Sequence, residues 1–171
     1  MTIVIRRARV PDAAFLPAIE TSAAELFRED PQLAWLAEAE VADVASHQQN
    51  IQRHPVWVAV TVDGVHCGFL NAETCDRELH VWEVSVARGY QGRGIGKRLL
   101  QAAREYAQQQ RLDALTLSTF RQLPWNQPFY QRLGFVTLEA GQLAPRLRQV
   151  LADEARHGLP VERRCVMRLT L

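Results

Sequence analysis

GYQGRGIGKRLL, residues 89–100, places four glycines within eight positions and then runs directly into helical periodicity. Glycines gathered at a helix start leave amide N–H groups uncovered by Cβ atoms, next to the partial positive charge of the helix N-terminus. With Arg93, Lys97 and Arg98 alongside, the segment reads as a cradle for a phosphate-bearing ligand. Spacing excludes two familiar phosphate loops. A P-loop requires G-x-x-x-x-G-K-[ST], but Gln91 stands five residues before Gly96 and Lys97 is followed by Arg98. A dinucleotide fingerprint requires G-x-G-x-x-G, whereas Gly92, Gly94 and Gly96 are each two apart.

Outward from the loop, the pattern is α/β. Ile95, Leu99, Ala102, Ala103, Tyr106 and Ala107 recur at helical spacing up to about Gln110, between the strand-like ELHVWEVSV and the short apolar run ALTLST at 114–119. That order is a strand–helix–strand crossover. Upstream, residues 2–9 predict a strand, Leu16 to Phe27 a helix with Asp12 available to cap the turn before it, and 38–53 a second helix ended by His54-Pro55. VWVAVTV, the turn Asp63-Gly64 and VHCGFLNAETC predict a β-hairpin that ELHVWEVSV extends as a meander. Downstream come a short helix in NQPFYQRLGF stopped at Gly134, a strand near 135–139, a helix over about 143–157 and a closing strand in RRCVMRLTL.

The 171 residues suit one domain, 1–171, with no repeats or low-complexity tracts. A hydrophobic share of 47% and a charged share of 23% fit a globular chain, and a formal net charge of +1 supplies no basic field for nucleic acid. Cys67, Cys75 and Cys165 give no disulfide framework and read as buried thiols of a reducing compartment. The five histidines are too scattered for a metal site. With no signal-peptide pattern and no membrane-spanning run, a cytoplasmic protein without membrane or nucleic-acid partners is expected.

Gln91, Gly94 and Gly96 form Q-x-x-G-x-G at the end of a strand and the start of an amphipathic helix. Here the chain resembles the GNAT superfamily of acyl-CoA-dependent N-acetyltransferases, and HVWEVSV, IGKRLLQAAREYA and WNQPFYQRLGF fall in the family's order. The resemblance covers nearly the whole chain. It implies the GNAT fold, a mixed, mostly antiparallel sheet of about seven strands with helices on both faces. It further implies acetyl-CoA as co-substrate, with Gln91, Gly92, Arg93, Gly94, Ile95, Gly96 and Lys97 around the pyrophosphate. A splay between the fourth and fifth strands would admit pantetheine along Val84, Ser85 and Val86. Ala87-Arg88 replaces a proline frequent in the family, and the segment near 140–162 is longer than the family minimum.

Amide formation from a thioester needs a neutral amine, a polarised carbonyl and a protonated leaving thiolate. Tyr130, in PFYQRLGF, matches the tyrosine that protonates the thiolate in many members, and Asn126 matches an asparagine that contacts CoA. His80 and Glu83 lie on the fourth strand where the family places a base, and water is a third choice. A period of two puts the pair on opposite faces unless a bulge intervenes. The resemblance implies transfer of acetyl to a primary amine by direct attack. The alternatives are a protein lysine or N-terminal acetyltransferase, or a non-catalytic acyl-CoA-binding module. The predicted helix in 143–157 carries Leu143, Leu147, Val150, Leu151 and Ala155 on one face. Resting over the acceptor side, it would narrow a groove into a pocket and favour a small-molecule amine. Both monomer and homodimer remain open.

Overall fold

The computed structural model describes residues 1–171 and has a seven-stranded mixed sheet flanked by helices, the expected α/β class. The strands are β1 (Ile3–Arg7), β2 (Val56–Thr61), β3 (His66–Cys75), β4 (Glu78–Val86), β5 (Ala114–Phe120), β6 (Val136–Thr137) and β7 (Arg164–Thr170). Their order is β1-β2-β3-β4-β5-β7-β6. The helices are α1 (Leu16–Ala24), α2 (Val44–Arg53), α3 (Ile95–Gln109), α4 (Gln127–Arg132) and α5 (Pro145–Arg156). Pairing is antiparallel in β1–β2, β2–β3, β5–β7 and β6–β7, and parallel in β4–β5, from Glu78↔Ala114 to Val81↔Leu117. The parallel step falls where the crossover through α3 demands it, because a tight turn cannot join parallel strands. Chain contacts gather into two compact units, residues 1–73 with 83–106 and residues 74–82 with 107–171.

In the first unit, β2 is buried along its whole length, as its unbroken apolar run requires. Leu16 and Ile19 of α1 close on Val58, Val60 and Phe69, with Ile51 of α2 at the margin. Asp12 does not stand at the helix start itself. It accepts from the Arg9 N–H at 2.7 Å, takes a bidentate pair from Arg6 and meets His66 Nε2 at 2.7 Å, so it fastens the turn before α1 to β1 and β3. The Arg6 guanidinium, outweighing burial, holds the Asp12 carboxyl well below the usual carboxylate range.

Two helix boundaries differ from the periodicity. The helix expected over 38–53 begins at Val44, because Asp43 has extended backbone and its carboxylate accepts from the Ser46 N–H at 2.8 Å. Val41 is therefore outside it. The helix expected to reach Phe27 ends at Ala24 and tightens into a 3₁₀ turn over Glu25–Glu29. Three residues per turn brings Glu25 beneath Arg28, and the two pair at 2.8 Å.

α3 buries Ile95, Leu99, Leu100, Ala103 and Ala107 along one face, at the three- and four-residue spacing of a helix, while Tyr106 meets Trp57 edge-on under the Arg7 guanidinium. Its approach to the sheet depends on Gly68 in β3. A Cβ there would lie 3.1 Å from the Ser85 carbonyl oxygen and 3.3 Å from Ile95 Cγ2. The absent side chain is the space that the first turn of α3 fills.

In the second unit, α4 stops at Gly134, where φ is +96° and a Cβ would press on Leu169 at 3.3 Å. β6 is only Val136–Thr137, shorter than the strand expected over 135–139. α5 starts at Pro145, a residue suited to a first helical position, and Gly158 at φ +88° ends it. Leu143 and Leu147 pack on Val166 of β7 beside Leu138 and Leu151. Glu154 anchors the helix to Arg164 at 2.8 Å and accepts from Ser118 at 3.0 Å, and Arg146 reaches Glu78 at 2.8 Å. The apolar face is thus spent on the sheet at β7, so it lends no support to the expectation of a helix that narrows an acceptor groove.

Gly68→Ala should destabilise the protein by about 1–3 kcal/mol, since the listener on the other side of the added methyl is a backbone carbonyl that has no rotamer to change. Chemical denaturation would show it as a lower midpoint at unchanged slope; a neutral result would mean that α3 shifts freely on the sheet.

Candidate active site

The glycine loop leaves β4 through a 3₁₀ turn at Arg88–Tyr90 and enters α3 at Ile95. Gly92 and Gly94 have φ of +74° and +75°, the left-handed region in which a side chain is strained. A Cβ on either would meet nothing within 4 Å, so the space beside both positions is open. The first helical bond runs from the Arg98 N–H to the Gly94 carbonyl at 3.1 Å. The amides of Ile95, Gly96 and Lys97 precede it and are the donors that a helix start leaves over. Residues and geometry therefore fit an anionic, phosphate-like group.

The side chains around the loop divide in role. Gln91 Nε2 donates to the Val86 carbonyl at 2.9 Å, which ties the loop to the end of β4. Arg98 donates to the Ile3 carbonyl at 2.8 Å, so this guanidinium is engaged by β1. Lys97 is exposed, and Arg93 lies over the Tyr90 ring at 5.6 Å. On β4, Ser85 is buried while Val84 and Val86 are half-buried.

Ser85 Oγ donates to Glu83 Oε1 at 2.6 Å. Part of Glu83 reaches solvent, yet its carboxyl is closely surrounded. Burial first, and then the charge of Glu20 on α1, push its pKa up to about 7, against the opposing pull of Ser85 and His47. His47 of α2 places Nε2 3.3 Å from Glu20 Oε2 and meets the Phe69 ring edge-on at 5.3 Å. Neither Glu20 nor His47 figured among the sequence candidates. His47 carried a signal all the same, since it lies three residues after Val44 and four before Ile51, on the stripe that faces inward.

In the second unit, His80 is 1% exposed, with Nδ1 2.9 Å from Thr116 Oγ1 and the ring edge-on to Trp82 at 4.3 Å. Burial, aided by the nearby Arg146 cation, pushes its pKa down to about 4. Tyr130 lies in α4 with its ring between Phe129 and Phe135, at 5.1 and 5.6 Å. Asn126 precedes α4 without capping it. Its Oδ1 accepts from Thr119 Oγ1 at 2.6 Å and from the Phe120 N–H at 3.3 Å, so it binds the end of β5. Cys67 and Cys165 are buried, and burial raises both thiols; Cys75 is half-buried. No group of three or more His, Cys, Asp or Glu is placed to hold a metal ion, and no helix is long and apolar enough to cross a membrane.

Residues 21–135, which contain the loop, β4 and α4, match the model of the acetyltransferase (GNAT) family. The chain belongs to the GNAT family. It is accordingly an acyltransferase, and the fold agrees along its full length. The PaiA N-acetyltransferase of Thermoplasma acidophilum, solved in complex with coenzyme A, is 16% identical over 100% of both chains with a TM-score of 0.74. The ribosomal-protein-S18-alanine N-acetyltransferase of Escherichia coli is 15% identical over 99% of this chain and 94% of its own, at 0.69. The N-acetylglutamate synthase of Neisseria gonorrhoeae, complexed with coenzyme A and N-acetyl-glutamate, is 16% identical over 100% of this chain and 35% of its own, also at 0.69. At these identities the likeness is one of fold, and the names span acceptors of different kinds.

Proposed function

We propose that this GNAT acetyltransferase transfers acetyl from acetyl-CoA to a primary amine by direct attack, with Glu83 as the base. The observation that carries the assignment is the place of the Glu83 carboxyl, held by Ser85 at 2.6 Å on the strand that leads into the glycine loop, where burial pushes its pKa up to about 7. A base near the working pH is both ionised and basic enough to accept a proton from an amine. His80 is the weaker choice, because it is fully buried and its pKa is pushed down to about 4. Acetyl-CoA, when bound, supplies the activated thioester. The amides at the start of α3 and the open loop of Gly92 and Gly94 would hold its pyrophosphate, with Lys97 and Arg93 adding charge and Gln91 keeping the loop on β4. Val84, Ser85 and Val86 would offer backbone groups to pantetheine. Asn126 would act by fixing the segment before α4.

Glu83 takes a proton from the amine nitrogen as the N–C bond forms and the C–S bond breaks. Tyr130, assigned on its match to the family's tyrosine, gives a proton to the departing sulfur and regains one from solvent. For the acceptor we favour a small primary amine. What supports this is the enclosure of the base by α1 and α2, where His47 is only 3% exposed, and no longer the placement of α5. Steady-state assays of small amines against lysine-bearing and N-terminal peptides test it; peptides acetylated efficiently with all small amines inert would reverse the acceptor.

Gly94→Ala should weaken CoA binding about tenfold or more in calorimetry. The added methyl meets only open space in the protein, so the fold itself should lose about 1–2 kcal/mol for the left-handed φ. Unchanged affinity in the folded variant would remove the loop as the pyrophosphate site.

Because Glu83 accepts a proton only when ionised, kcat/KM should climb with pH through an apparent pKa of about 7 and level off above it. Glu83→Gln should lower kcat by about a hundred- to ten-thousandfold and erase that limb. A limb that survives the substitution would transfer the role to another group.

Tyr130→Phe keeps the ring among Phe129 and Phe135 and removes the proton. kcat should fall by about ten- to a thousandfold with KM for acetyl-CoA little changed. Wild-type turnover in this variant would end the assignment.

A further inference from the structure

Glu20, His47 and Glu83 come from α1, α2 and β4 of the same compact unit; Glu20 and His47 are 3.3 Å apart and the charges of both act on Glu83, which the proposed base alone does not explain. Glu20 Oε2 and His47 Nε2 are both buried and lie 3.3 Å apart, without the alignment of a hydrogen bond. Each is thus a buried polar atom lacking a hydrogen-bond partner, a state that proteins seldom leave uncompensated. The Glu20 charge also acts on Glu83, whose Oε1 is taken by Ser85 at 2.6 Å. Two carboxylates therefore face a shared region in which the one basic side chain is His47. Counting His47, the arrangement has at most one cation for two carboxylates, and buried carboxylates are normally each paired with one.

We infer that Glu20, steadied by His47, is the acceptor-ammonium receptor of this enzyme. It binds the amine in its charged form and presents it to Glu83. This rests on the acetyltransferase reading above and deepens it. The ammonium N–H bond facing Glu83 breaks and its proton passes to the Glu83 carboxylate. A remaining N–H of the now neutral amine stays on Glu20 Oε2, and the nitrogen lone pair is released for attack. Glu83 passes this first proton to solvent before attack, takes the second as the N–C bond forms, and returns that one to solvent after turnover, while Tyr130 protonates the departing sulfur. Glu20 discriminates for a cation, and an uncharged group of the same shape leaves both carboxylates uncompensated. His47 is a positioning residue, limiting the freedom of Glu20 from a site on α2 braced by Phe69.

The test begins with a panel of primary amines and carries the best acceptor forward. Glu20→Gln should raise KM for that amine about ten- to a hundredfold while KM for acetyl-CoA stays put. It should also move the acidic limb of kcat/KM to lower pH. The polar groups facing Glu83 are Glu20 from α1, His47 from α2 and Ser85 on β4. Among them Glu20 opposes its ionisation, and because a general loosening that exposed Glu83 would lower its pKa too, it is the unchanged KM for acetyl-CoA that separates the lost Glu20 charge from a loss of structure. The alcohol counterpart of the amine should compete only at concentrations far above the amine's KM. That measurement needs no variant, so the inference remains exposed even if Glu20→Gln folds poorly. An alcohol that competes at the amine's KM, or a folded Glu20→Gln with unchanged amine KM and unchanged limb, overturns it. Absence of turnover with every amine in the wild-type protein would instead bring down the underlying acetyltransfer reading.

Discussion

A side chain that is missing governs the first unit. Gly68 leaves the hollow on β3 into which Ile95 and Leu99 settle, with the Ser85 carbonyl only 3.1 Å from where a Cβ would be. A helix seated that closely cannot begin elsewhere, so the unused amides of its first turn emerge next to the end of β4. The Gln91 amide on the Val86 carbonyl then fixes the path between strand and helix. Between these two attachments the loop stays open, and its glycines hold the left-handed backbone without the strain a side chain would bring.

The same closeness shapes the chemistry of β4. Ser85 gives its carbonyl to the tight approach at Gly68 and its hydroxyl to Glu83, so packing and acid–base behaviour meet in one residue. α1 and α2, held on the sheet by Leu16, Ile19 and Ile51, bring Glu20 and His47 to that carboxyl. Here the electrostatic outcome is set by the packing of apolar neighbours, which determines how far two like charges can separate.

Much of the architecture was legible from local pattern. The all-buried β2, the Asp63-Gly64 hairpin and the periodic burial of α3 follow from short-range sequence rules, and the loop announced itself through Gln91, Gly94 and Gly96. What periodicity missed was partly set by nearby polar contacts and partly by partners distant in the chain. Asp43 capped α2 later than its periodicity suggested, and the pairing of Glu25 with Arg28 accompanied the tightening after α1. α5 was recognisable as an amphipathic helix, but its amphipathicity could not say which surface it would cover. That was decided by Val166 and Leu138 and by the Arg164 and Glu78 ion pairs. Glu20 carries no motif around it, and only the fold brings its charge to bear on Glu83.

The Arg98 bond to the Ile3 carbonyl spans 95 positions of sequence. Together with the membership of residues 83–106 in the first unit, it means that the N-terminal strand waits for α3 before that unit can close. During synthesis β1 and β2 must leave the ribosome and persist without the helix that packs on them, exposing apolar surface for the time taken to translate a few dozen more codons. Contacts of such separation place a large share of loop-closure entropy before the rewarding step, so closure of the first unit waits on α3.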